Sequence, residues 1–128
     1  MNCGLATANR REVTRIVKAR RKTTVFARAE VAGVSGPAAT INLAGKLAAK
    51  KAVLEALDLS GRLSLTAVRI VQGPSGKPGV VINHPSLRRR TSGYRISLSI
   101  SHTKNTAVAC CLIYDKNDAA FPATRRSA

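Results

Sequence analysis

The chain contains several short segments in which apolar residues recur at every second position. The clearest lies at 94–101, where each apolar residue is followed by Arg or Ser. This alternation is typical of a half-buried β-strand with one polar face. The almost wholly apolar run at 107–114 predicts a central strand beside it. Further short strands are predicted at 3–8, 63–71 and 80–82, with a Gly/Pro-rich turn at 73–79.

A long segment at 38–57 has the period of an α-helix and follows the break at 33–37. Four leucines fall on its apolar face, whereas three lysines are expected to project from the other side. Lys51 and Glu55 are four residues apart, so they could form a surface ion pair. The leucines are Leu43, Leu47, Leu54 and Leu57, and the lysines are Lys46, Lys50 and Lys51.

A second, shorter helix is predicted at 10–22, where Val13, Ile16 and Val17 have helical spacing. Its outer surface is basic. Two interpretations of this surface remain open: a solvated helix face, or a docking face for an acidic partner. The basic residues are Arg11, Arg15, Lys18 and Arg21.

Together these elements predict an α+β fold in which an antiparallel-rich sheet packs on a long helix. At 128 residues the chain is long enough for one domain with a sizeable core. We assign residues 1–115 to that single domain and 116–128 to a C-terminal tail. The segment 83–93, which contains three consecutive arginines, is predicted to be a basic loop.

The formal net charge is +16, from 22 basic and 6 acidic side chains. Such an excess implies a polyanionic partner: nucleic acid, a nucleotide-like cofactor such as coenzyme A, or an acidic protein. Aromatic residues make up only 3% of the chain and Trp is absent. The stacking platforms of single-stranded nucleic-acid binders are therefore missing, although duplex binding through phosphates remains open.

The chain contains three cysteines, two of them adjacent at 110–111, which does not suit a disulfide framework. We interpret them as small apolar residues of a protein in the reducing cytoplasm. No apolar run approaches the length of a membrane span, and no secretory signal is recognisable. Nucleophilic catalysis is not favoured either, because alternation along a strand puts Ser101 and His102 on opposite faces.

Five motifs, in order, resemble the holo-acyl-carrier-protein synthases, the small 4′-phosphopantetheinyl transferases. The long helix is similar to the family's Arg-Phe-Ala-Ala-Lys-Glu-Ala-x-x-Lys-Ala-Leu. Residues 4–8 resemble Gly-Ile-Gly-Thr-Asp, and Val25-Phe26 followed by Glu30 resembles Arg-Val-Phe-Thr-x-x-Glu. The other two are Gly-Lys-Pro at 76–78 and Ser-Ile-Ser-His-Thr at 99–103. The resemblance covers roughly residues 3–115.

This resemblance implies a catalytic site that has changed. In the family, the Asp of the first motif and the Glu of the helix bind magnesium, and the second Lys of the helix assists catalysis. Ala8, Lys51 and Glu55 stand at these positions here. We therefore expect no magnesium. The Lys51 ammonium could instead hold a phosphate directly, or it could simply pair with Glu55.

The residues that line the nucleotide and phosphate pocket in the family carry over better. They match Lys50, Gly76, Lys77, Pro78, Ser101, His102 and Thr103. The resemblance also implies that the basic first helix docks an acidic acyl carrier protein. It further implies a homotrimer with sites between subunits, and a place in polyketide or fatty-acid biosynthesis.

Three hypotheses follow. The first is a divergent member that engages a carrier protein, its phosphopantetheine arm or coenzyme A. In that case magnesium-dependent transfer is lost, and the role is either non-catalytic or new chemistry on a carrier-bound thioester. The second is an active transferase in which Lys51 replaces the metal. The third, which the scarcity of aromatic residues disfavours, is a basic nucleic-acid-binding protein.

Overall fold

The computed structural model describes residues 2–19, 24–31 and 38–117. Five strands and four α-helices are present in these ranges. The strands are β1 (Asn2–Asn9), β2 (Val68–Gln72), β3 (Pro78–Ile82), β4 (Tyr94–His102) and β5 (Thr106–Asp115). The helices are α1 (Arg10–Lys18), α2 (Arg28–Val31), α3 (Ala39–Ala56) and α4 (Pro85–Thr91), and a short 3₁₀ turn, Leu65–Ala67, precedes β2.

The strands form two antiparallel sheets. The larger sheet has the order β1-β5-β4, so the apolar strand β5 is central, as its sequence predicts. Gly4 and Leu98 both lie opposite Cys111 in this sheet. The smaller sheet is the hairpin of β2 and β3, and Gly76 adopts a φ of +84° in its turn, a conformation that favours glycine. The α+β class and the antiparallel pairing predicted from the sequence are confirmed.

Helix α3 is the centre of the hydrophobic core and packs against the larger sheet, β2, α1 and α2. Twelve of its 18 residues are buried, because it is covered on several sides rather than on one. Small residues allow the close contact with β1. A Cβ built on Gly4 would lie 1.9 Å from the carbonyl oxygen of Ala52, so only glycine fits there. The predicted apolar face is confirmed for Leu43, Leu47 and Leu54, which are all buried, whereas Leu57 is half-buried and caps the end of the helix.

Two of the predicted elements differ from the structure. The segment 83–93 is not a loop, because it contains α4. His84 accepts a hydrogen bond from the Leu87 amide and Pro85 occupies the first turn, an arrangement that starts a helix. The strand predicted at 63–71 begins only at Val68, since Leu65–Ala67 forms a 3₁₀ turn capped by Ser64. Predictions for 20–23, 32–37 and 118–128, including most of the predicted tail, lie outside the described residues.

Candidate functional site

Helix α3 presents three lysines, Lys46, Lys50 and Lys51, to three different environments. Lys46 lies at the wall of a cleft, Lys50 lies in the core, and Lys51 is partly exposed beside β1. The prediction that all three project from the polar side of the helix is therefore wrong for Lys50. Helical spacing alone could not show this, because α3 is covered on its second side by α2 and β2.

Lys50 and Glu30 form a fully buried ion pair. The Lys50 Nζ lies 2.6 Å from the Glu30 Oε1, and both side chains have 0% exposure. The same ammonium donates to the carbonyl oxygens of Val68 at 2.7 Å and Leu65 at 3.2 Å, so all three of its protons have acceptors. Burial lowers the pKa of Lys50, and the neighbouring Glu30 carboxylate opposes this shift. Direct contact between Lys50 and a ligand, as the resemblance implies, is excluded by this burial.

Lys51 and Glu55 bind the free edge of β1. The Lys51 Nζ lies 2.5 Å from the Glu12 Oε2 and 3.3 Å from the Thr7 carbonyl oxygen, and the Glu55 Oε1 accepts from the Leu5 amide at 3.4 Å. Lys51 thus pairs with Glu12 of α1 instead of with Glu55. The unpaired edge of a strand exposes backbone N–H and C=O groups. Here Lys51 donates to one of the carbonyls and Glu55 accepts from one of the amides.

The residues around Ala8 do not fit a magnesium ion held as the resemblance implies. Magnesium requires hard oxygen ligands, usually with one or two carboxylates. Ala8 contributes a buried methyl group, and two oxygen groups beside Lys51, the Glu12 carboxylate and the Thr7 carbonyl, already bind its ammonium. Within 2–19, 24–31 and 38–117 no group of three His, Cys, Asp or Glu side chains could hold a metal.

A cleft of about 610 Å³ opens between α3, the β2–β3 hairpin and the end of β4. Its walls include Lys46, Asn42, Gln72 and His102 together with apolar residues of the hairpin. The His102 Nδ1 lies 3.0 Å from the Thr103 carbonyl oxygen, and since a carbonyl only accepts, Nδ1 carries a proton and Nε2 is the ring nitrogen left for a ligand. The volume suits a small-molecule site, and the two basic side chains suit an anionic ligand.

The described chain resembles known proteins in sequence and in fold. It is 35% identical over 79 residues to a holo-[acyl-carrier-protein] synthase from Chlorobaculum parvum and 40% identical over 81 residues to that of Chlorobaculum tepidum. These alignments span 60% and 62% of this chain, and 63% and 65% of the relatives, which is under two thirds of their length. No family model matches the chain.

Solved structures of this type share the fold. The synthase of Neisseria meningitidis superposes with a TM-score of 0.77, at 20% identity, over 89% of this chain and 98% of its own. That of Helicobacter pylori, solved in complex with coenzyme A, gives 0.72 at 19% identity over 88% and 99%. The chain is therefore similar to the holo-[acyl-carrier-protein] synthases in sequence and shares their fold.

Within this synthase-like fold, the predicted ligand-binding residues separate into several groups. Gly76, Pro78 and His102 line the same cleft as Lys46. Lys77 lies instead at a neighbouring cleft of about 520 Å³, which includes Arg95 and Tyr114. Ser101 is exposed on β4, on the opposite face of the sheet from His102, and does not line the cleft. The Thr103 hydroxyl accepts from the Thr106 amide at 3.2 Å, so it supports the β4–β5 turn.

Three of the four predicted docking residues lie on α1. Arg11, Arg15 and Lys18 are all exposed along the helix, and Arg21 lies outside the described residues. The Asn9 side chain caps the helix by accepting from the Glu12 amide at 2.9 Å. The exposed basic face is present, whereas its role in docking stays a prediction.

Three residues that matter at the site were missed from the sequence: Glu12, Glu30 and the cleft lysine Lys46. Glu30 was part of a motif, but only the fold shows that its carboxylate is buried against Lys50. The composition offered a signal for these acids. With 6 acidic and 22 basic side chains, each acidic residue is expected to have a cationic partner, so Glu12 and Glu30 were candidates for ion pairs.

Among the described residues, none of the helices combines the length and apolarity of a membrane crossing.

Proposed function

We propose that this protein engages coenzyme A, or the phosphopantetheine arm of an acyl carrier protein, without the magnesium-dependent transfer of its relatives. The cleft beside α3 takes the phosphate-bearing ligand, and α1 contacts the acidic carrier protein. The role is a repurposed one in a pathway that builds polyketide or fatty-acid chains on a carrier protein. It is either new chemistry on a carrier-bound thioester or a non-catalytic function.

The cleft supports ligand binding through its charge. Lys46 and His102 provide cationic or hydrogen-bonding groups on two walls, and Gly76 lines the cleft between the strands of the hairpin. Phosphate groups are bound well by ammonium groups. The +16 charge of the chain adds a long-range attraction for any polyanionic ligand, and this attraction weakens as salt is added.

The loss of magnesium-dependent transfer is supported by the Glu12–Lys51 ion pair, the single observation on which the proposal depends most. The Lys51 ammonium, a cation of the protein itself, binds the Glu12 carboxylate and the Thr7 carbonyl, which are the kind of oxygen ligands that a metal would need. Both side chains are about one-third exposed, at 33% and 34%. A divalent ion would have to displace the ammonium and then lie close to it, which electrostatic repulsion opposes.

Intact-mass spectrometry tests this proposal directly. The protein is incubated with coenzyme A, magnesium and an apo-carrier protein, and conversion to the holo form is followed. We expect coenzyme A to bind, as measured by isothermal titration calorimetry, without rapid conversion. Rapid conversion would refute the loss of transfer, and an absence of coenzyme A binding would refute the role of the cleft.

A double variant provides a readout that does not depend on activity. Ala8→Asp with Lys51→Glu replaces a methyl group and a cation by two carboxylates near Glu12. We expect magnesium to raise the Tm of this variant and to leave that of the wild type unchanged. The control is Ala8→Asp alone, which keeps the Lys51 ammonium. An equal magnesium-dependent rise in the wild type would contradict the proposal.

A second candidate function is transfer without a metal. The partial exposure of Lys51 favours it, because the ammonium can turn from Glu12 towards a phosphate at the surface. This candidate predicts slow conversion of the apo-carrier protein at a rate that EDTA does not change. A rate that EDTA abolishes would exclude it.

We also infer self-association through the outer face of the larger sheet, in the trimer that the family resemblance implies. Leu5 is 60% exposed there and Val108 is 37% exposed, on the face opposite α3. Multi-angle light scattering tests this, and Leu5→Lys should reduce the mass to that of a monomer. A monomeric wild type would contradict it.

A further inference from the structure

Glu30 connects the buried ion pair to the cleft. Its carboxylate binds Lys50 in the core, and its backbone carbonyl oxygen accepts a hydrogen bond from the Lys46 Nζ at the cleft wall. Lys46 and Lys50 are four residues apart on α3, so both ammonium groups reach the same residue of α2. One residue therefore fixes the positions of two lysines that have different surroundings.

The Glu30 carboxylate is held tightly. Its Oε1 accepts from the Ala27 amide at 2.6 Å as well as from Lys50, and its Oε2 accepts from the Ile70 amide at 2.8 Å. These contacts join α2, α3 and β2. Charge-assisted hydrogen bonds in a buried environment are strong and geometrically restrictive. The backbone of α2, including the carbonyl that faces Lys46, is consequently fixed by the carboxylate.

Lys46 keeps donors for a ligand. An ammonium group has three protons, and the Glu30 carbonyl accepts one of them. The pKa of Lys46 is lowered by burial and raised in part by the nearby Glu30 carboxylate, and the side chain is only partly buried. The group thus lies at the border between the core and the cleft, with two donors not used by the Glu30 carbonyl.

We propose that the Glu30–Lys50 ion pair is a positioning device that holds the Lys46 ammonium at the cleft wall, where Lys46 binds a phosphate or pyrophosphate group. This rests on the proposed function only for the presence of an anionic ligand. Glu30 and Lys50 are positioning residues, because neither carboxylate nor buried ammonium reaches the ligand. Their effect on binding passes through Lys46.

A double-mutant cycle tests this path. Inorganic pyrophosphate and coenzyme A are titrated calorimetrically into the wild type, Lys46→Met, Glu30→Gln and the double variant. Loss of one charge-assisted contact is expected to weaken binding about tenfold in each single variant. The double variant should be no weaker than Lys46→Met alone, because Glu30 acts through Lys46. Multiplication of the two losses would overturn the proposal.

A matched control separates positioning from general destabilisation. Val53 is buried on α3 and does not belong to the ion pair, so Val53→Ala weakens the core alone. Its effect on pyrophosphate binding should be small and should multiply with that of Lys46→Met. Lys50→Met is the second test variant if Glu30→Gln does not fold, and it should give the same cycle as Glu30→Gln.

A measurement without ligand keeps the inference distinct from the proposed function. Amine labelling followed by peptide mass spectrometry reports the accessibility of Lys46. In Lys50→Met or Glu30→Gln, Lys46 should be labelled severalfold faster than in the wild type, whereas Val53→Ala should not change its rate. Unchanged labelling overturns the positioning role. Binding of neither ligand to the wild type refutes the proposed function and the anion-binding role of Lys46, and the labelling result still decides whether the pair positions it.

Discussion

Replacing Lys50 by Met should destabilise the protein far more than the same replacement at the adjacent Lys51. In Lys50→Met, the Glu30 carboxylate stays buried at 0% exposure without its counter-charge, and the carbonyls of Val68 and Leu65 lose a donor. Removing one partner of a buried ion pair typically costs about 3–5 kcal/mol. Since domains are stable by only about 5–15 kcal/mol, much of the free energy of unfolding would be lost.

The neighbouring residue supplies the control. Lys51 is on the same helix and its ion pair with Glu12 is about as short, at 2.5 Å, but one-third of each side chain is exposed. Exposed pairs contribute about 0.2–1 kcal/mol, because water and salt screen them. The Thr7 carbonyl that also binds Lys51 can turn to water instead. The same substitution therefore isolates the effect of burial.

Urea unfolding and thermal unfolding, both followed by circular dichroism, measure the free energy of unfolding and the Tm of the two variants. A loss of 3–5 kcal/mol corresponds to a fall in Tm of about 12–20 °C for a domain of this size, against about 1–4 °C for Lys51→Met. The two variants should also have similar m-values, since the surface exposed on unfolding hardly changes. Equal losses below 1 kcal/mol in both variants would show that the buried pair does not stabilise the fold.

Other positions give equally specific expectations. In Gly4→Ala the new Cβ would overlap α3, so its free energy of unfolding in urea should fall by about 3 kcal/mol or more. Gly93→Ala, with open space around it, should change this free energy by less than about 0.5 kcal/mol. Similar losses in the two variants would contradict the close packing of β1 on α3. Burial lowers the pKa of Lys46 in the folded protein. Between that lowered pKa and about 10.4, the unfolded chain therefore binds more protons at this lysine than the folded one does. The contribution of Lys46 to the free energy of unfolding should rise with pH across this window. Labelling of native Lys46 should accordingly reach its midpoint at lower pH than labelling of the exposed lysines, and a common midpoint would refute the shift. Burial raises the pKa of Cys111 to about 12, so it should react with a thiol reagent at pH 8 only after unfolding, and rapid reaction in the native protein would contradict this.

Much of the fold could be predicted from local patterns. Alternation predicted β4 almost to its ends. The apolar run at 107–114 predicted a central strand, and β5 indeed has a neighbouring strand on each edge. The helix predicted at 38–57 is observed as Ala39–Ala56. The segment at 83–93 was predicted wrongly as a loop, because three consecutive arginines suggest solvent. The Pro85 and His84 cap was the local signal for α4.

The candidate site was only partly predictable. Its cleft-lining residues Gly76, Pro78 and His102 were identified from motifs that resemble a known family, and the structure brings them together. Lys50 was misplaced because the sequence does not show which side of a helix a second layer covers. The partner of Lys51 was also misplaced. The sequence suggested Glu55, four residues away on the same helix, whereas Lys51 binds Glu12, which lies 39 residues earlier on α1.

The sequence by itself determined the long helix α3, the strands β4 and β5, the large positive charge and the absence of a carboxylate at positions 8 and 51, because these depend on residue type and local spacing. The tertiary structure alone decided how the three lysines of α3 are used. Whether an ammonium is buried against Glu30, bound to the edge of β1 or placed at a cleft depends on which distant elements pack around the helix. Electrostatic interactions act through space and vary with burial, so their partners and strengths follow from the packed fold.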